Sequence, residues 1–176
     1  MARKRRQLTK KDLAEKAGIT ALTLTRLESG DTSEPVEETV NALARALNFP
    51  FEFFYLDDCE ELETDAVSFR SLSSLSARQR DAALAAGTIA FLFDEWVTDR
   101  FEVPKPDLID LRDEDPAAAA EALRGHWGIS SKPVQSMVKL LEAKGVRVFA
   151  LSEQHKNVDA YSCWKDNVPY IFSQHF

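Results

Sequence analysis

Histidine and cysteine are scarce in this chain of 176 residues, with three of the first and two of the second. Cys59 and Cys163 are far apart and have no CxxC partner, so both are expected as thiols and neither reads as a metal site. No two of His126, His155 and His175 lie four residues apart. That spacing is what sets two imidazoles on one helix face for zinc, so no metal ligand and no catalytic residue is assigned. Long apolar runs are missing too. Without a stretch of about 18 apolar residues, nothing reads as a membrane span. Arg3, Lys4, Arg5 and Arg6 are not followed by the apolar core of an export signal, and the expected compartment is the cytoplasm.

What is present is the composition of a soluble globular protein, 44% hydrophobic and 29% charged, long enough for two small domains. The net charge of −7 argues against nucleic acid only until its distribution is read. Residues 1–30 hold eight Lys/Arg (Arg3, Lys4, Arg5, Arg6, Lys10, Lys11, Lys16, Arg26) against Asp12, Glu15 and Glu28. A head of +5 therefore sits on a body of −12. A basic head releases counterions at phosphates, and an acidic body discourages indiscriminate binding.

Caps and breakers divide the first sixty residues into short helices. Thr9 is placed to cap Lys10–Lys16, with Leu13 and Ala14 inward and Gly18 at the end. Thr20 caps Ala21–Ser29, stopped by Gly30, and Val36 to Leu47 carries Val40, Leu43, Ala44 and Leu47 at helical spacing. Phe49, Phe51, Phe53, Phe54 and Leu56 are expected to close a small core. Helix, tight turn, helix is the unit whose second helix enters the major groove. On that helix Leu24 and Leu27 share one face, while Ala21, Leu22, Thr23 and Arg26 fall mainly on the other. Methyl groups of Thr and Ala suit thymine methyls, and an arginine reaches guanine or phosphate.

The run Leu8-Thr9-Lys10-Lys11-Asp12-Leu13-Ala14-Glu15-Lys16-Ala17-Gly18-Ile19-Thr20, continued by Arg26-Leu27-Glu28-Ser29-Gly30, resembles the XRE (Cro/C1-type) helix-turn-helix over roughly residues 3–56. The resemblance implies operator recognition on double-stranded DNA, with two copies on a palindromic site. The DNA-binding residues it points to are Lys10, Thr20, Ala21, Leu22, Thr23 and Arg26, with phosphate contacts from Arg3, Arg5, Arg6 and Lys11. Where that family often has Gln after the cap, this chain has Lys10, which favours phosphate over base. The family's first helix normally starts several residues earlier, so here it is expected to be short.

An acidic stretch (Asp57, Asp58, Glu60, Glu61, Glu63) followed by serines at 68, 71, 73, 74 and 76 reads as a linker over 57–76. The domain expectation is 1–56, the linker, then 77–176. Ser76 caps a long helix to about Arg100, with Leu84, Ile89, Leu92, Phe93 and Trp96 apolar, and Pro104 and Pro106 follow. Asp115-Pro116 opens a helix to Trp127, and Lys132-Pro133 another to Ala143. The period then changes: Val146–Leu151, Asp159–Trp164 and Val168–Phe172 read as strands, the last two joined at Lys165-Asp166-Asn167. The fold class expected is an α-helical helix-turn-helix bundle plus an α+β domain, helices followed by a small antiparallel sheet.

Asp115-Pro116-Ala117-Ala118, Trp127-Gly128-Ile129, Leu140 to Val148, Asp159-Ala160-Tyr161-Ser162 and Pro169-Tyr170-Ile171-Phe172 together resemble the front half of the ImmA/IrrE-type metallopeptidase domain, over roughly 66–173. In that family a His-Glu-x-x-His helix follows these strands and holds zinc. No such motif occurs here, so the expectations are an incomplete sheet, no cofactor in this chain, zinc only in a longer parent, and a fragment or a shortened regulator. The leading reading is a transcriptional regulator. The alternative is a repressor-cleaving metallopeptidase whose catalytic part is missing and whose helix-turn-helix binds a protein partner. A third is a catalytically dead regulator.

Overall fold

The computed structural model describes residues 1–31, 35–57, 59–69, 75–151 and 159–174. The chain starts with α1 (Ala2–Arg5), α2 (Lys10–Ala17), α3 (Ala21–Ser29) and α4 (Glu37–Leu47). Local chemistry sets these limits. Thr9 and Asp12 form a reciprocal capping box at the start of α2, and Gly18 ends it in the left-handed conformation. Thr20 caps α3 by accepting from the Thr23 N–H, and Gly30 stops it at φ 72°. At the end of α4 a non-glycine, Asn48, takes the left-handed position.

Leu13, Ala14, Leu24, Leu43, Leu47 and Ala2 form one buried cluster, with Phe49, Phe53 and Phe54 packed against it. The aromatic run folds as a 3-10 turn, Phe51–Tyr55. Of the five apolar residues expected to close this core, Leu56 stands 56% exposed and Phe51 lies against Tyr55 instead.

The second half is a four-stranded sheet, β1 (Val67–Phe69), β2 (Arg147–Ala150), β3 (Ala160–Lys165) and β4 (Val168–Ser173), in the order β1-β3-β4-β2. With it go α5 (Ala77–Thr98), α6 (Pro116–His126) and α7 (Met137–Ala143). The α+β layout is as read, with one difference: β2 pairs parallel with β4, so the sheet is mixed. β3 and β4 form a hairpin whose two-residue turn, Asp166-Asn167, has both φ values positive, matching the twist of its strands. The stretch read as a linker is more than a connection. It carries β1 and buries Leu62 in the second core beside Phe91, Tyr161 and Phe172.

α7 also departs from expectation. It starts at Met137 under a Ser136 cap and not at Pro133. The Arg124 guanidinium binds the carbonyls of Ser130 and Lys132, which holds residues 128–132 as a loop beyond α6.

α5 is buried on more than one side, through Ala82, Ala83, Leu84, Ala85, Gly87, Thr88, Ala90 and Phe91. The sheet meets one side, and α1 packs against another. Small residues make this double approach possible. Tyr161 donates from its hydroxyl to the Ala83 carbonyl at 2.7 Å, and Thr88 Oγ1 accepts from the Leu62 N–H at 3.0 Å. Asp94 is buried where its Oδ1 takes Arg147 Nε at 2.7 Å and its Oδ2 takes the Tyr170 hydroxyl at 2.6 Å. Burial, then the Asp94 bond and charge, push the Tyr170 phenol well above its ordinary value.

Candidate nucleic-acid interface

α3 is amphipathic in the sense a groove-entering helix needs. Leu24 is buried and Leu27 half-buried against the bundle, whereas Thr20, Ala21, Leu22 and Arg26 are exposed. Leu22 keeps 60% of its surface in solvent. Such an apolar side chain at the start of a surface helix gains nothing from the fold.

Thr23 is half-buried, and its hydroxyl lies 2.8 Å from that of Thr20. Each hydroxyl is engaged locally, so the outward contribution of Thr23 is its methyl group. Arg26 is exposed and forms no ion pair among the described residues. Thr25 and Ser29 belong to the same outward strip and were not among the residues singled out from the sequence. The signal was available: Thr25 stands four residues after Ala21, and Ser29 seven after Leu22. Ser29 is tied down, donating to the Arg26 carbonyl or Asp31.

The basic residues divide into two groups. Lys11 is exposed, and Lys10 reaches Glu28 at 3.6 Å from the first turn of α2. The arginines of α1 and its C-cap instead serve the fold. Arg3 forks onto both oxygens of Glu28 and donates to the Leu8 carbonyl at 3.0 Å. Arg6 donates to the carbonyls of Leu47 and Asn48 at 2.6 and 2.7 Å and lies over the Phe49 ring. A cation there answers the unsatisfied carbonyls at the end of α4. Arg5 faces α5, where burial and then neighbouring Arg6 pull its pKa below the usual guanidinium value. Lys4 and the N-terminal amine share Glu61. The run Arg3–Arg6, read from the sequence as a source of phosphate contacts, thus engages the fold: Arg3 and Arg6 tie the helical bundle together, and Lys4 and Arg5 face the second half.

Glu28 shows the local electrostatics. Burial raises its pKa, but the hydrogen bonds and charges of Arg3 and Lys10 outweigh that and hold it below the ordinary carboxylate value.

The helix-turn-helix family model matches residues 1–54. This part of the chain is an XRE-type helix-turn-helix domain. No curated protein and no solved structure matches the chain.

Among the described residues, the surroundings of His126 do not suit a zinc ion. His126 Nε2 lies 2.6 Å from Asp107 Oδ1, and the other oxygen of that carboxylate takes the Lys144 ammonium at 2.8 Å. A fixed cation on the same carboxylate opposes a second one. His155 and His175 lie outside the described residues. Among the described residues no cluster of three His, Cys, Asp or Glu side chains is placed to hold a metal, and no helix is long and apolar enough to cross a membrane.

Proposed function

We propose that this chain is a transcriptional regulator that reads an operator in double-stranded DNA through α3. The observation that carries the reading is the outward strip of α3, Ala21, Leu22, Thr25 and Arg26, presented by a domain of the helix-turn-helix family. Ala21, Leu22 and the Thr23 methyl meet thymine methyls, and Arg26 meets guanine or phosphate. Thr20 fixes the start of the helix, with Lys10 and Lys11 at phosphates. Arg3 and Arg6 are assigned to holding the bundle together and Arg5 to the contact with α5 instead. Two copies on a palindrome, which the resemblance implies, would set two α3 helices about one helical turn apart.

The second half is the regulatory part. Its resemblance to the front of an ImmA/IrrE-type peptidase domain is supported by the order α6, α7, β2 and then the β3–β4 hairpin. No peptidase step is assigned, because the sequence has no His-Glu-x-x-His and Asp107 is already paired with Lys144.

The test is a salt titration of the full chain on labelled duplex DNA. Several Lys–phosphate and Arg–phosphate contacts give a log–log slope of several units. Affinity that does not change with salt, or no binding at low salt, overturns the reading.

A further inference from the structure

The end of α5 leaves its rings in solvent. Phe93, Trp96 and Phe101 are 55%, 49% and 59% exposed. They adjoin one another, Phe93 stacked on Trp96 at 6.2 Å and Trp96 lying 6.4 Å from Phe101. Beside this ridge is a groove of about 240 Å³ between α5 and the start of β2, with Val97, Val103, Pro104, Val146 and Glu142 in its walls. The groove opens where β2 begins, at the opposite end of the sheet from Leu151 and Asp159.

The charges on the two features are complementary. Arg100 lies over the Trp96 ring at 4.7 Å and donates to the Trp96 carbonyl at 3.1 Å. Although Asp99 and Glu102 flank it, Arg100 forms no ion pair among the described residues, and neither does Glu142, exposed on the groove wall. The one other cation in the groove lining, Arg147, is held by Asp94.

We propose that a second copy of this chain docks here, the Trp96–Arg100 ridge of each copy seated in the groove of the other about a two-fold axis, with Arg100 against the partner's Glu142. A ridge and a groove on one surface are what a self-complementary contact requires, since the two-fold brings each onto the other twice. Packing removes the rings from water, and Arg100, with most of its five donors still free, presents the planar fork that a carboxylate matches. The three rings expose on the order of 300 Å² on each copy, the size at which an apolar patch marks an interaction site. With the groove walls and the charged rim, the contact approaches the roughly 1,000 Å² total of a specific pair. An unrelated apolar partner accounts for the rings but not for the matched charges.

The contact would pair the two copies of the operator reading and rests on that reading for its use. Its test contains no DNA, so the two fail independently. Sedimentation of the full chain at about 1–100 µM, the range in which a contact of this size is expected to form, compares wild type, Trp96→Ala, Arg100→Glu, Glu142→Arg and the double charge swap. All three positions are exposed, so the replacements leave the core intact. The wild type is expected to dimerise within that range. Trp96→Ala is expected to weaken the dimer more than tenfold and each charge reversal about tenfold. The double swap is expected to regain most of what either reversal loses. A wild type that stays monomeric throughout, as for a surface kept for a different partner, overturns the proposal. So does a dimer indifferent to Trp96→Ala, or one that the double swap fails to restore.

Discussion

Arg3 of α1 holds Glu28 of α3 by a two-point ion pair, Nε on Oε1 at 2.6 Å and Nη2 on Oε2 at 3.0 Å. The pair ties the first turn of the protein to the end of the helix proposed to read DNA. Because Arg3 also donates to the Leu8 carbonyl, the guanidinium fixes the exit of α1 as well.

Arg3→Ala is therefore expected to cost about 1–2 kcal/mol of stability near neutral pH, since it removes charge-assisted bonds and not a free surface charge. Glu28 has a depressed pKa in the folded protein. Its contribution is then full above the ordinary glutamate value of about 4.3 and is lost as pH falls through the lower folded value. Urea unfolding of wild type and variant is expected to show a gap at neutral pH that shrinks in acid. A gap independent of pH contradicts the assignment.

Asp94→Ala is expected to be far more damaging, at about 3–5 kcal/mol, because it strands the partly buried Arg147 charge and the Tyr170 hydroxyl. Asp94→Asn retains an acceptor for Tyr170 and is expected to lose less. Thermal unfolding in which the two variants lose equal stability would show that an acceptor for the Tyr170 hydroxyl contributes nothing once the charge at position 94 is gone.

Gly145 has φ 77°, and a Cβ there would lie 2.3 Å from the carbonyl carbon and oxygen of Lys105. Those atoms are backbone and cannot swing aside. Gly145→Ala is expected to cost about 2–4 kcal/mol, combining the left-handed penalty with the clash. A urea midpoint within error of wild type would refute the close approach of residues 105–106 to the start of β2.

The parts legible in the sequence are those set by neighbours along the chain. Thr9, Gly18, Thr20 and Gly30 declare the ends of α2 and α3, and the structure uses each as read. The outward strip of α3 follows from its period, and the same period places Thr25 on it. What was not legible depends on distant partners. Nothing beside Arg3 or Arg6 in the sequence announces Glu28 or the carbonyl of Leu47, so a basic run looked like a phosphate-binding end. Pro133 is a sound helix opener locally, but Arg124 holds the preceding loop and the helix waits for Ser136. The serine-rich segment hid β1, whose three residues gain their place only from pairing with β3.

The central claim, that α3 reads base sequence, is tested most directly by selection from a randomised duplex library followed by sequencing, with wild type and Arg26→Ala in parallel. Arg26 is exposed on the outward strip and its side chain makes no ion pair among the described residues, so its replacement leaves the fold intact. The wild type is expected to enrich one defined motif. Arg26→Ala is expected to keep most of that motif and lose discrimination at one base pair, a change of about 1–3 kcal/mol there. Failure of the wild type to enrich any motif, or an Arg26→Ala motif identical to that of the wild type, would contradict the account.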